Sequence, residues 1–265
     1  MANFRRFRPD DVNKFSKCNL DPFTETYELG FYLQYHAKWP ALFQVAEDQD
    51  GNIIGYLMGK LESSPAYYKG SEHYLPWHAH ITALTVAPEA RRLGIGKLLS
   101  EQLEAVADAN DAWFVDLFVR PSNRKAIAFY KSMGYSVFRV VKDYYGDNPE
   151  DPSRDGEDAY DMRKSCKRDV KGEHVREDGM DHVVNPDDVC PQTPPSMGTE
   201  RLGNSYPSPA RFRVGEGATD NSDDSAEDRD RTAAPFDTLA ELKSIKTLDL
   251  IREKLWGFVS LSPLM

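Results

Sequence analysis

The sequence predicts an α/β (α+β) fold: a mixed central sheet flanked by helices over residues 1–170, followed by a disordered tail. Three observations carry this expectation. Strand-like apolar runs alternate with segments of helical period up to Ser165, in the order β-α-α-β-β-β-α-β-α-β-β. A strand–loop–helix unit spans Ala79–Leu99, with Gly94 and Gly96 where the helix begins. Beyond about Val170 the chain turns to Pro, Gly, Ser, Asp and Glu, and apolar periodicity stops.

Each element has a local reason. Asn3–Arg8 reads as a first strand. Pro9 and Asp10 open a helix to about Lys17, with Val12, Phe15 and Ser16 inward, because proline at the first helical position gives up an N–H that would be unpaired anyway. Leu20–Thr26 is a proline-containing loop. Tyr27–Trp39 is a helix rich in aromatic residues, and Pro40 stops it. Leu42–Glu47 and Ile53–Leu61 are strands joined through Asp50-Gly51, a pair that favours a hairpin. Ser63–Pro76 is a polar loop, and Trp77–Ala87 is the strand that feeds the glycine loop. Gly94–Asp108 is a helix, with Ile95, Leu98, Leu99, Leu103 and Val106 at helical spacing. Trp113–Val119 is almost continuously apolar, as a strand buried on both faces would be. Asn123–Met133 is a helix closed by Gly134. Tyr135–Tyr145 is a strand, Asp147–Asp158 an acidic turn and Tyr160–Lys164 the last strand.

The tail divides in two. Residues 171–235 are too polar to offset the entropy of ordering them. In 236–260 a pattern returns: Thr238-Leu239-Ala240-Glu241 is a capping box, followed by Leu248, Ile251, Leu255 and Phe258. That stretch reads as an amphipathic helix or a degenerate tail.

The net charge is −10, with 20 Lys+Arg against 24 Asp+Glu up to Ser165 and 13 against 19 after it. This argues against a general nucleic-acid surface. Cys18, Cys166 and Cys190 are odd in number and widely spaced, which fits a reducing compartment and neither a disulfide framework nor a zinc pattern. The opening MANFRRFRPDD has no apolar core of a secretory signal, and no run approaches the ~20 apolar residues of a membrane span. The expected compartment is the cytoplasm.

The loop Arg91-Arg92-Leu93-Gly94-Ile95-Gly96-Lys97 has the makings of an anion cradle: glycines that let backbone approach a ligand, and the unpaired N–H groups of a helix start. A dinucleotide fingerprint would need glycine where Leu99 stands. A triphosphate P-loop would need glycine at Arg91 and Ser or Thr at Leu98. What remains, [Gln/Arg]-x-x-Gly-x-Gly after a strand, resembles the acetyl-CoA loop of the GNAT acetyltransferases. On the loop alone, an ordinary strand–loop–helix joint stays open.

Longer strings narrow the resemblance. LDPFTETYELGFYLQYHAKWP, GYLMGK, HITALTVAPEARRLGIGKLL, FVDLFVRPSNRKAIAFYKSMGYSVFRVVKDYY and DGEDAYDMRKS resemble the catalytic subunit of the NatB N-terminal acetyltransferases. The resemblance covers nearly all of Met1–Ser165. Members of that family usually end soon after a segment like Asn185-Pro186-Asp187-Asp188-Val189. It implies a GNAT fold and transfer of acetyl from acetyl-CoA to the α-amine of nascent chains beginning Met-Asp, Met-Glu, Met-Asn or Met-Gln. It also implies a large helical auxiliary subunit that docks the enzyme at the ribosome, and no metal.

The resemblance also assigns roles. Tyr130 is the proton donor to the leaving thiolate, where spacing alone would make it a core aromatic. Asn123 binds the cofactor arm, where position alone makes it a helix cap. Val86 offers backbone to the cofactor, and Arg91, Arg92, Leu93, Gly94, Ile95, Gly96 and Lys97 hold its diphosphate mainly through main-chain N–H groups. On the Trp77–Ala87 strand a period of two places His78, His80, Thr82, Leu84 and Val86 on one face. The resemblance makes His80 and Thr82 the pocket for the substrate's second side chain. His78 and His80 could be two metal ligands, but spacing suggests no third. Glu25, near the amine, and Tyr27 flank the substrate N-terminus. Tyr144 and Tyr145 hydrogen-bond its backbone. The outer face of the Tyr27–Trp39 helix meets the auxiliary subunit. Two alternatives remain open: a GNAT enzyme for another N-terminus class or for lysine, and a non-catalytic CoA-binding scaffold subunit.

Overall fold

The computed structural model describes residues 2–189, apart from Pro22, Tyr67, Tyr68, Glu72, His73 and 147–155. The helix expected at 236–260 and most of the expected disordered stretch lie outside the described residues. Eight strands form one mixed sheet: β1 Asn3–Arg6, β2 Phe43–Glu47, β3 Ile53–Glu62, β4 His78–Val86, β5 Phe114–Val119, β6 Ser136–Tyr145, β7 Glu157–Ser165 and β8 Val183–Val184. Their spatial order is β1-β2-β3-β4-β5-β7-β6-β8, antiparallel except for β4–β5 and β6–β8. The helices are α1 Leu29–Lys38, α2 Ile95–Ala109, α3 Arg124–Ser132 and the short α4 Pro186–Val189.

β3 shows how the sheet is covered. On one face Leu103 of α2 packs over Gly59, where a Cβ would lie 2.5 Å from the leucine methyl. On the other face Tyr56 sits in an aromatic cluster with Phe15 and with Tyr32 of α1, ring centroids 4.8 and 6.4 Å away. Aromatic rings meeting at tilted and edge-on angles fill this side of the core. The aromatic-rich helix is therefore directed inward: Tyr32 and Tyr35 are buried, and Phe31 lines a cavity. The apolar side chains exposed in this region are Leu29 on α1 and Leu20 and Phe23 in the loop before it, a correction to the expected aromatic outer face.

Two further expectations change. Residues 9–17 do not form one α-helix; they form 3-10 turns at Pro9–Asn13 and Ser16–Leu20. The buried Asp11 carboxylate accepts from the Arg8 N–H at 2.7 Å and from both Arg5 Nη atoms at 2.6 and 2.9 Å, tightening the first turn. The folded region also extends past 170. Val140 N–H donates to His182 O at 2.8 Å, β8 adds to the edge of β6, and Val189 is buried against Val141, Tyr145 and Ala159.

The sheet opens where β4 and β5 part. Parallel pairing joins Ala79, His80 and Ile81 to Val115, Asp116 and Leu117, and ends there. Beyond it β4 continues to Val86 along β3 and β5 to Val119 along β7, no longer paired to each other, which leaves a fork between them.

Candidate active site

Two adjoining cavities meet at this fork. Both are lined by Glu25, Ile81, Thr82, Phe118 and Tyr145. The larger, of about 110 Å³, reaches Asn123 and Tyr130 of α3 and Arg120 at the end of β5. The smaller, of about 60 Å³, lies toward α1 and is lined by Tyr27, Tyr35, Lys60, His80 and Tyr144.

A β-bulge shapes the wall they share. Met58 pairs with Ala83 but Gly59 with Ile81, so Thr82 is an extra residue in β4. Strict alternation is lost there. Thr82 accompanies His80 toward the smaller cavity and shares a 2.9 Å hydrogen bond with Tyr35 Oη. Thr85, three residues on, turns to the same side and donates to Cys18 O at 2.8 Å. Val86 instead points toward α2, its Cγ2 3.8 Å from where a Cβ on Gly96 would be. The expected shared face of His80, Thr82 and Val86 is therefore broken at the bulge.

The glycine loop presents its backbone. Gly94 caps α2 in the left-handed conformation, φ 82°, with no side chain capping the helix, and Arg92 is also left-handed, φ 68°. Among the described residues, the N–H groups of 92–97 have no hydrogen-bond partner; the first α2 bond is Leu98 N to Gly94 O. Such a concave run of N–H groups at a helix start suits a diphosphate. The side chains do less. Arg91 is tied to Val86 O at 3.0 Å and to Asp21 at 2.6 Å, Lys97 lies 3.7 Å from Glu101, and Leu93 is exposed. Ile95 is buried under the loop. Val86 O is thus already an acceptor, and the neighbouring Ala87 N–H donates to Ile54 O.

Asn123 is a cap, its Oδ1 accepting from Ala126 N–H at 3.1 Å, which leaves its amide NH2 for the larger cavity that it lines. Tyr130 is buried and its hydroxyl makes no hydrogen bond among the described residues; burial raises its pKa. Glu25, at the seam, lies 3.3 Å from Arg120 Nη2, and Arg120 Nη1 is 3.3 Å from Glu157. The Arg120 guanidinium stacks on the Tyr145 ring at 4.0 Å, and Tyr144 stacks on Phe118 at 4.6 Å. Tyr27 stacks on Phe31 at 4.4 Å.

A buried polar row underlies the smaller cavity. Lys60 of β3, His80 of β4, Asp116 of β5 and Arg163 of β7 stand opposite one another in register, each less than a tenth exposed. His80 Nδ1 is 2.9 Å from Asp116 Oδ1, and Lys60 Nζ is 2.8 Å from Glu62. Sequence reasoning missed Phe31, Tyr35, Lys60, Asp116, Phe118 and Arg120. Lys60 and Asp116 stand inside strand runs, where an alternation that buries a charge was the available signal; Arg120 follows the end of β5 and left no such mark.

The Acetyltransferase (GNAT) family model matches residues 12–135. The N-terminal acetyltransferase B complex catalytic subunit naa20 of Schizosaccharomyces pombe is 46% identical over 191 residues, which span 71% of this chain and 99% of that protein. A crystal structure of Chaetomium thermophilum Naa20 in complex with a bisubstrate analogue is 79% identical, with a TM-score of 0.68 over 71% of this chain and 98% of that one. A structure of the NatB acetyltransferase complex bound to a bisubstrate inhibitor is 34% identical with a TM-score of 0.58, over 71% of this chain and 98% of its matching chain. The chain belongs to the GNAT acetyltransferases and, within them, to the family of catalytic subunits of N-terminal acetyltransferase B.

Proposed function

We propose that this chain is the catalytic subunit of a NatB-type complex, moving acetyl from acetyl-CoA to the N-terminal amine of nascent proteins that begin Met-Asp, Met-Glu, Met-Asn or Met-Gln. The observation that carries the reading is the pair of cavities joined at the β4–β5 fork, one running to Tyr130 and the other walled by tyrosines and His80. The unpartnered N–H groups of 92–97 fit the diphosphate of coenzyme A, which supplies the acetyl group as a reactive thioester. Asn123 offers its amide to the cofactor arm. Tyr130 keeps its proton at neutral pH, because burial raises its pKa, and so can donate it to the departing sulfur. An α-amine titrates near pH 8, so little is needed to present it neutral. Glu25, held by Arg120, faces the seam where that amine would arrive and can take its proton directly or through water. Tyr27, Tyr144 and Tyr145 line the path of the first residues, with His80 and Thr82 against the second side chain.

Exposed Leu20, Phe23 and Leu29 support docking of a large auxiliary subunit beside α1. Action at the ribosome in the cytoplasm goes with that assembly. The test is acetyl transfer to peptides beginning Met-Asp, Met-Glu, Met-Asn, Met-Gln and Ser, and to an internal lysine, with and without the auxiliary subunit. Turnover should be confined to the four Met-initiated peptides and should rise with the partner; preference for Ser or lysine overturns the assignment. Acetyl-CoA should also raise the melting temperature, by mass action on the native state, where equal concentrations of ATP or NADH do not.

A further inference from the structure

We propose that Tyr35 is a positioning residue for the peptide's second side chain: its phenol holds the Thr82 hydroxyl so that the spare O–H of the pair serves the smaller cavity and selects side chains that carry an oxygen acceptor. The proposal rests on the N-terminal peptide reading above and concerns the same site.

Two hydroxyl systems meet on β4, and they differ in how they end. In one, Thr24 Oγ1 donates to Thr85 Oγ1 at 3.1 Å, and Thr85 Oγ1 donates to Cys18 O at 2.8 Å. That chain ends on a carbonyl, so both of its O–H groups are spent. The other is the pair of Tyr35 Oη and Thr82 Oγ1, 2.9 Å apart. Among the described residues neither oxygen has another hydrogen-bond partner, and both residues line the smaller cavity. Two hydroxyls that share one hydrogen bond keep one O–H between them, whichever of them donates. A phenol is a stronger donor than an alcohol. Burial raises the Tyr35 pKa, so the phenol keeps its proton for this bond. Tyr35 then donates to Thr82, and the O–H left over is that of Thr82.

The backbone aims that hydroxyl. Thr82 is the extra residue of the β4 bulge and the first beyond the last β4–β5 pair, Ile81 with Leu117, so it stands at the mouth of the fork. Tyr35 meets it from α1, with its ring fixed against Phe31 and Trp39, centroids 4.8 and 5.0 Å away. The pair carries no charge. It offers the same O–H to a carboxylate oxygen and to a carboxamide oxygen, the acceptor common to Asp, Glu, Asn and Gln. Leucine has nearly the shape of Asn but no acceptor, and it would leave that O–H unpaired in a filled cavity. Selection by this pair therefore turns on an acceptor and not on a negative charge.

The test measures inhibition constants of bisubstrate analogues in which coenzyme A is joined to Met-Asn, Met-Asp and Met-Leu peptides, with the full chain and its auxiliary subunit. The shared coenzyme keeps the Met-Leu analogue measurable. Tyr35→Phe retains both ring contacts and should shrink the preference for Met-Asn over Met-Leu about three-fold, and that for Met-Asp by at least as much. Thr82→Val should shrink both about ten-fold, and Thr82→Ser, which keeps the hydroxyl, should shrink them less. Adding Tyr35→Phe to Thr82→Val should shrink them no further, because the phenol acts through the hydroxyl that is gone. A merely structural role would weaken all three analogues alike. Equal losses across the analogues, a further loss in the double variant, or Thr82→Ser as poor as Thr82→Val each overturns the proposal. Absence of turnover of free Met-Asn and Met-Asp peptides by the unsubstituted complex would instead overturn the functional reading, and this inference with it.

Discussion

Tyr130 combines two properties rarely found together in a tyrosine that serves only as packing. Its ring is held edge-on between Phe129 and Tyr135, with centroids 5.0 and 5.4 Å away, yet its hydroxyl has no protein partner among the described residues while lining the larger cavity. The hydroxyl faces the cavity and is not one of the side-chain atoms buried without a partner, so the packing does not depend on it. Tyr130→Phe keeps both ring contacts and removes only that hydroxyl. The melting temperature should therefore hold, while kcat falls about ten- to a thousand-fold with a smaller change in KM. Steady-state kinetics and a thermal melt on one preparation check this; unchanged kcat returns Tyr130 to the core. That Tyr130 and Asn123 share one helix was legible in the sequence, because both sit in one contiguous string; spacing alone made them a core aromatic and a cap, and only the resemblance directed them to a cofactor. Lys60, Asp116 and Arg120 were not legible. Lys60 reaches the site from β3, Asp116 from β5 and Arg120 from just beyond its end; the β3–β4–β5 register sets the first two beside His80, and tertiary packing sets Arg120 beside Glu25. Register across three strands is a tertiary quantity that no local window contains.

At the scale of elements, long periodic segments were readable and short irregular ones were not. The helix from Gly94 and the strand from Trp113 lie within a residue or two of their expected ends, since apolar period fixes them. The bulge at Thr82 left no such mark, because an inserted residue changes facing without changing composition. Nor did the strap of residues 166–189, where a two-residue strand and a single 3-10 turn have no period to detect. That strap has a mechanical consequence. The turn at Gly179–Asp181 presses its backbone onto β6 so closely that a methyl on Gly179 would overlap Val137 O. Relief requires the turn to lift, and with it the His182–Val140 hydrogen bond and β8. Gly179→Ala should thus loosen the strap and lower the melting temperature by several degrees, as expected for overpacking against rigid backbone. Hydrogen exchange should rise at Val140 and Val141 before it rises in β2 or β3. Unaltered exchange at β6 would mean that the strap is not held there.

For the whole molecule, the question is where the catalytic unit stops. Composition places the break near Val170, because lost periodicity marks lost core. Packing places it later. Val189 is 4% exposed and shares a cluster with Val141, Tyr145 and Ala159, against which Phe118, Tyr144 and Val184 also pack. Phe118, Tyr144 and Tyr145 are themselves walls of the smaller cavity. The last buried side chain of the described residues therefore supports the cavity-facing end of β6 from behind, some forty residues along the chain. Coverage by the fission yeast relative agrees, reaching 99% of that protein with 71% of this chain. Two truncations separate the boundaries. A chain ending just after Val189 keeps the cluster whole and should retain peptide turnover within a few-fold of the full chain, measured with the auxiliary subunit present. A chain ending at Val170 loses β8, the Gly179 turn and Val189 together. It exposes Val141 and Ala159, each 0% exposed in the intact fold, and frees the tyrosine pair at the end of β6. Losing a buried aliphatic contact of this kind costs about 2–4 kcal/mol. KM for peptide should rise more than KM for acetyl-CoA, because the strap backs the tyrosine wall and not the glycine loop. If the shorter chain matched the longer in both constants, Val189 would be a surface ornament and the compositional boundary the true one. If the longer chain also failed, residues beyond 189 would have to complete the site.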